Sequence, residues 1–299
     1  MSAQTKGRLR GSGSGSGWSA FLRERFQLPV LLVLGTAQAA SAQYVVASRL
    51  DLGGLLIAIV GIVSLLALMR LMDELKDLEK DRVAHPERPL PRGTLSEEDA
   101  RRGLHWAVLG LVVATGVIAV GRNLMTGALY GLCVAYTLLM YREFFAPRFL
   151  GARPFTYAVT HQLVLVPMYL FATAAALPEL TLTPPVLWYG LTGLGASFAF
   201  EVCRKLDPEA HAVLGTYLAA YGPHRTVLAV TAAVVLAAYA AYAIAVHVFV
   251  WPVAALLLTT LSVVYLRPER YKWVEGAASL FALVQVLAPT LAHVRRILG

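Results

Sequence analysis

Four carboxylates crowd one short stretch of this chain. They are Asp73, Glu74, Asp77 and Asp81, in the run LMRLMDELKDLEKDRVAHPERPLPRG. On a continuous helix they point within roughly 100° of one another, because each residue advances the helix by about 100°. Like charges four residues apart destabilise a helix. A divalent cation relieves them, and Mg²⁺ takes oxygen ligands while sharing its sphere with phosphate oxygens. The face therefore reads as a Mg²⁺ platform for a phosphorylated substrate, with Asp77 and Asp81 at its catalytic centre. A solvated helix end neutralised by Lys76, Lys80 and Arg82 is the alternative. The next residues favour the platform. In Arg88-Pro89-Leu90-Pro91-Arg92-Gly93 two prolines fix the backbone and Gly93 permits a sharp exit. Arg88 and Arg92 supply two guanidiniums, which bind phosphate oxygens well. Ser96 then starts a short helix, with Asp99 in capping-box position.

A second charged group follows far along the chain. Glu201 ends the apolar run SFAFEVC, 128 positions after Asp73, and Arg204 and Lys205 come next. Glu201 suits a metal; the two cations suit phosphate oxygens directly. A simple anchor, with Glu201 paired to Lys205 four residues on, fits equally. Tyr136, Tyr141, Phe144, Phe198 and Phe200 offer aromatic faces, each able to stabilise a cation by about 0.5–2 kcal/mol. Singly, each is as readily a helix contact. His161-Gln162 is a polar pair inside an apolar run, suited to bind an acceptor, act as a base or bond across helices.

The elements that position these residues follow from composition. The chain has 299 residues, 58% hydrophobic and 15% charged, with a mean hydropathy of +0.62. That excludes a soluble domain and a disordered chain. Nine apolar runs approach the about 20 residues a bilayer needs. They cover approximately 27–47, 53–72, 104–121, 123–141, 156–177, 186–203, 226–246, 249–266 and 274–294. The fold class is all-α, a polytopic membrane bundle. One transmembrane domain spans 23–299, after a flexible segment 1–22 that contains GSGSGSG. The seventh and eighth spans are joined by a tight turn around His247 to Trp251. Cys133 and Cys203 lie in apolar runs and read as buried thiols. Gln285 and Asn123 read as structural. The net charge of +8 does not point to nucleic acid, since the basic residues are dispersed among short loops. With the N-terminus in the cytosol, 22 Lys and Arg fall on the cytosolic side and 4 on the other. Both charged groups then face the cytoplasm.

Asp73-Glu74-x-x-Asp77-x-x-x-Asp81, followed by Arg88 to Gly93, resembles the first aspartate-rich motif of the UbiA superfamily of intramembrane prenyltransferases. That motif reads Asn-Asp-x-x-Asp-x-x-x-Asp and precedes an Arg-Pro-Leu-Pro-x-Gly loop. The spacing is kept and the first two residues change type. Nine helices with the N-terminus inside is also the family's layout. The resemblance implies Mg²⁺-dependent transfer of an isoprenoid chain from a prenyl (di)phosphate to an aromatic or lipid acceptor in the bilayer. It implies metal on Asp73, Glu74, Asp77, Asp81 and Glu201, and phosphate on Arg88, Arg92, Arg204 and Lys205. Tyr136, Tyr141, His161 and Phe198 would line the pocket. Two positions depart from the family. Arg204 and Lys205 stand among the second motif's aspartates, and Phe145 stands where a Tyr-x-x-x-Lys lysine is common. Fewer Mg²⁺ ions and a monophosphate donor are compatible with this. A terpene cyclase without acceptor and a transferase with a polyprenyl phosphate acceptor stay open. An ion or phosphate transporter is disfavoured, because such proteins place charges near the midplane.

Overall fold

Long runs of Leu, Val, Ala and Ile have few ways to satisfy their backbone in lipid, and the helix does it within one segment. The computed structural model describes residues 14–179, 182–209 and 215–298. Among them nine helices are long and apolar enough to span a bilayer. They are Leu28–Val46, Leu52–Lys76, Glu97–Gly121, Leu124–Tyr141, Pro154–Ala174, Pro184–Cys203, Tyr217–Ala243, His247–Leu266 and Pro268–Leu298, here the first to ninth spans.

Each agrees with an apolar run, and the differences lie at the edges. Ser96 caps its helix by accepting from the Asp99 amide at 3.0 Å. That helix is not short, for it continues unbroken into the third span. The seventh span begins at Tyr217 because Gly222, at φ +73°, and Pro223 bend the helix without ending it. The turn before the eighth span lies at 244–246, and His247 already opens that helix. Within the fifth span the helix is interrupted after Gln162 and resumes at Leu165. Pro167 explains the break, since its ring meets the carbonyl four residues earlier.

The flexible reading of residues 1–22 changes where they are described, and 1–13 lie outside the described residues. Ser14–Phe21 is helical. Phe21 is buried, and it and Trp18 pack into the cluster of Leu68, Leu71, Leu95 and Leu104. Two aromatics outweigh the linker-like glycines before them.

The sixth span is the axis of the bundle, with 61% of its apolar window buried against 6% for the third. The third shows Val112, Val113, Val117 and Val120 outward, as a lipid-facing helix does. Small residues let backbones approach in membranes. A Cβ on Gly195 would come within 2.7 Å of the Ala233 carbonyl on the seventh span. Cys133 and Cys203 are free and buried. Asn123 caps the fourth span, accepting from the Thr126 amide at 2.8 Å.

Candidate functional site

The second span does not carry its carboxylates on one face. It ends at Lys76, Asp77 adopts a non-helical ψ of 6°, and a separate short helix Leu78–Ala84 follows. Asp73 and Asp77 remain open to solvent at 57% and 41% side-chain exposure, loosely paired with Lys76 at 4.0 Å and Lys80 at 3.4 Å. Glu74 turns the other way and is buried. Arg25 meets it at 2.7 Å and Arg70 at 3.5 Å. Asp81 is also buried and meets Arg88 at 2.6 Å. An isolated buried carboxylate is costly, so each takes a guanidinium as partner. Arg92 is held by Glu24 at 2.8 Å, Thr94 at 2.7 Å and the Glu87 carbonyl at 2.8 Å. Gly93 makes the expected sharp exit at φ +76°.

At the end of the sixth span Glu201 pairs with Arg204 and with Lys205, both at 2.5 Å. Both cations keep spare donors, at 44% and 42% exposure. Lys76 at the end of the second span bonds to Tyr157 of the fifth at 2.7 Å, and Phe155 of the fifth stacks on Tyr217 beside Lys205. The two charged helix ends therefore converge at one end of the bundle. Aromatic rings pack beside the second of them. Phe155 stacks on Tyr221 at 4.2 Å and Tyr217 at 5.4 Å, with Phe198 buried behind it at 6.3 Å. Lys205 lies 5.8 Å from the Tyr217 ring centre.

Three residues of this site carry no expectation from motif spacing: Lys76, Glu143 and Tyr157. The Lys76 ammonium donates to the Tyr157 hydroxyl at 2.7 Å and pairs with Glu143 Oε1 at 3.1 Å. Tyr157 in turn donates to Glu143 Oε1 at 3.2 Å. Glu143, Phe144 and Phe145 all have left-handed backbones, at φ 49°, 50° and 58°. Non-glycine residues rarely adopt that region, and such strain gathers at functional sites. A signal for Glu143 does exist in sequence. It is the one acid between Asp99 and Glu179, at the end of an apolar run.

A cavity of about 50 Å³ lies under this cluster, lined by Asp73, Lys76, Thr137, Tyr141 and His161 among others. Tyr136 stands outside it, donating to the Thr160 carbonyl at 2.7 Å and packing on Phe144. The cavity admits a small group and no chain, since pockets for larger ligands run to about 300–1,000 Å³.

Of the five carboxylates, Asp73 and Asp77 offer the most open oxygens for a divalent ion, and Glu74, Asp81 and Glu201 are paired more closely with protein cations. Among the described residues no three metal-binding side chains gather. Mg²⁺ is nonetheless held by one or two carboxylates when substrate phosphates and waters complete its sphere. Asp73 and Asp77 fit one such ion.

Among the described residues, nine apolar helices with charged ends that meet at one end of the bundle define an integral membrane protein. Residues 31–286 match the UbiA prenyltransferase family, and the chain belongs to it. No curated protein matches it by sequence. Two of the solved structures that share the fold align over nearly their whole length. One comes from work on the biosynthesis of digeranylgeranylglyceryl phosphate synthase in membranes, with a TM-score of 0.68 and 14% identity over 93% of this chain and 99% of that one. The other is the apo structure of a UbiA homologue from Aeropyrum pernix K1, with a TM-score of 0.62 and 17% identity over 91% and 99%.

Proposed function

We propose that the protein transfers an isoprenoid chain from a prenyl diphosphate to an acceptor within the bilayer. The observation that carries this is the meeting of Asp73 and Asp77 with Glu201, Arg204 and Lys205 at one end of the bundle. The donor's headgroup enters between the two helix ends. Arg204 and Lys205 give their free N–H groups to its phosphate oxygens. Asp73 and Asp77 would hold one Mg²⁺, which would neutralise the diphosphate and stabilise it as a leaving group. Lys76 adds a protein cation beside them. The donor's C–O bond breaks and the electron pair leaves with the diphosphate. Tyr157, Tyr217 and Phe155 supply aromatic surface beside the carbon that becomes positive. The isoprenoid tail extends into lipid, and packed apolar helices keep water from the cation. The lopsided distribution of Lys and Arg supports an opening on the cytoplasmic face.

The test uses purified protein in lipid nanodiscs with labelled prenyl diphosphates of several lengths. A total lipid extract serves as acceptor source, with and without EDTA, and products are read by mass spectrometry. The expected result is a lipid-soluble product heavier by one isoprenoid chain, absent with EDTA and restored by Mg²⁺. No product from any donor overturns the proposal. A hydrocarbon formed without acceptor makes the protein a cyclase instead.

A further inference from the structure

We infer that Glu143 and His161 are the proton-accepting pair of this site, taking the proton the nucleophile releases as its bond to carbon forms. The role rests on the transferase reading above. His161 Nδ1 lies 2.8 Å from the Tyr157 carbonyl, which only accepts. Nδ1 therefore carries the ring hydrogen, and in the neutral ring Nε2 is a bare lone pair. Nε2 is buried and has no hydrogen-bond partner, and Glu143 Oε2 is in the same state. The two side chains face each other, with Nε2 3.6 Å from Oε2. The Met140 main-chain carbonyl also borders the ring. Every one of these groups is an acceptor, so the arrangement lacks one proton. A proton arriving at Nε2 satisfies the nitrogen and the carboxylate together.

The remaining contacts hold the pair in place. Glu143 Oε1 is fixed by Lys76 at 3.1 Å and by the Tyr157 hydroxyl at 3.2 Å. The imidazole stacks on Tyr157 at 3.9 Å, and Phe144 meets its edge at 5.6 Å. The left-handed backbone at Glu143 to Phe145 accompanies this inward turn. His161 lines the cavity beside Asp73 and Lys76.

The step balances. The donor's C–O bond breaks and its pair leaves with the diphosphate. An oxygen lone pair of the acceptor forms the new C–O bond. The acceptor's O–H proton passes to Nε2, and Glu143 balances the imidazolium until the proton passes to the released diphosphate or to water. A base is required by a neutral alcohol or phenol and by no phosphate anion. The pair thus selects a hydroxyl acceptor over a polyprenyl phosphate.

The test compares H161A, H161N and E143Q with the wild type in nanodiscs, using labelled prenyl diphosphate and total lipid extract. H161A is expected to lose about 100-fold in kcat with donor KM within about threefold, the scale of general-base loss. Added imidazole is expected to restore at least about tenfold of that, and the variant should still cleave donor to free prenol. E143Q should lose kcat in the same direction. H161A turning over within threefold of wild type overturns the pair, as does a loss carried by donor KM with no response to imidazole. A second readout does not depend on turnover. Nitrogen-15 NMR of histidine-labelled protein, with His161 assigned by its absence in H161N, should show Nδ1 protonated and Nε2 bare. The opposite tautomer overturns the pair. A wild type that makes no product from any donor fails the transferase reading instead, and the NMR result then decides the pair by itself.

Discussion

Lys76 and Glu143 form a 3.1 Å ion pair that ties the end of the second span to the corner after the fourth. Family members commonly place a lysine at the position Phe145 holds here, and Phe145 is 78% exposed. Lys76 on the second span, three residues beyond Asp73, brings an ammonium to this corner instead.

That exchange has a direct test. K76M should cut turnover by about 100-fold, as loss of one preorganised charge at a reacting centre does. It should also lower stability, because Glu143 loses its cation. K76M/E143Q should recover stability without recovering activity. F145A should stay within about twofold of wild type, since its side chain faces outward. Turnover and thermal unfolding of the four proteins decide the matter, and an inactive F145A beside an active K76M would reverse the assignment.

The two halves of the first motif should separate experimentally. D77N should raise the Mg²⁺ concentration for half-maximal turnover by about tenfold or more, as loss of a ligand does. D81N should leave the Mg²⁺ titration in place, because Asp81 is bonded to Arg88 at 2.6 Å. It should lower stability by about 1–3 kcal/mol as Arg88 loses its partner. A shifted Mg²⁺ titration in D81N would return Asp81 to the metal.

Much of this molecule was legible in its sequence. Lipid imposes one solution on a long apolar run, so all nine spans were visible. The hidden edges are those where a breaker bends a helix without ending it, as Gly222-Pro223 does within the seventh span. The site was legible to the level of its two charged helix ends. Its internal assignments were not, because they depend on which way a side chain leaves a helix that stops. Glu74 shares a face with Asp77 only on a helix continuing past Lys76, and this one breaks there. Lys76 looked like a neutralising surface lysine, since Tyr157 and Glu143 reach it across other helices.

Glu74 and Arg25 should behave as a buried pair. Glu74 keeps 2% of its side-chain exposure and Arg25 17%. R25M removes the nearer cation and leaves a carboxylate that Arg70 alone partners at 3.5 Å. The expected loss is about 3 kcal/mol, the scale of breaking one side of a buried pair. R25M/E74L should recover most of it, since matched apolar replacements are often neutral. Thermal unfolding in one detergent gives the cycle. Equal losses in R25M and the double variant would mean that Arg25 acts through packing alone.

Gly195 tests whether close approach of the sixth and seventh spans sets the site. A Cβ there would lie 2.7 Å from the Ala233 carbonyl and 3.0 Å from the Ala237 amide nitrogen, and neither backbone atom can yield without moving its helix. Gly195 lies less than two turns before Glu201, so a shift there also moves Glu201 relative to Tyr217. G195A should lower stability by about 1–3 kcal/mol, the scale of overpacking, and reduce turnover with it. Gly110 is the control, a helical glycine of the third span with no atom within 4 Å of an added Cβ. G110A should be neutral or stabilising by up to about 1 kcal/mol through helix propensity. The opposite signs follow from one geometric difference, and two variants that shift the unfolding temperature alike would remove the sixth-to-seventh contact as the element that positions Glu201.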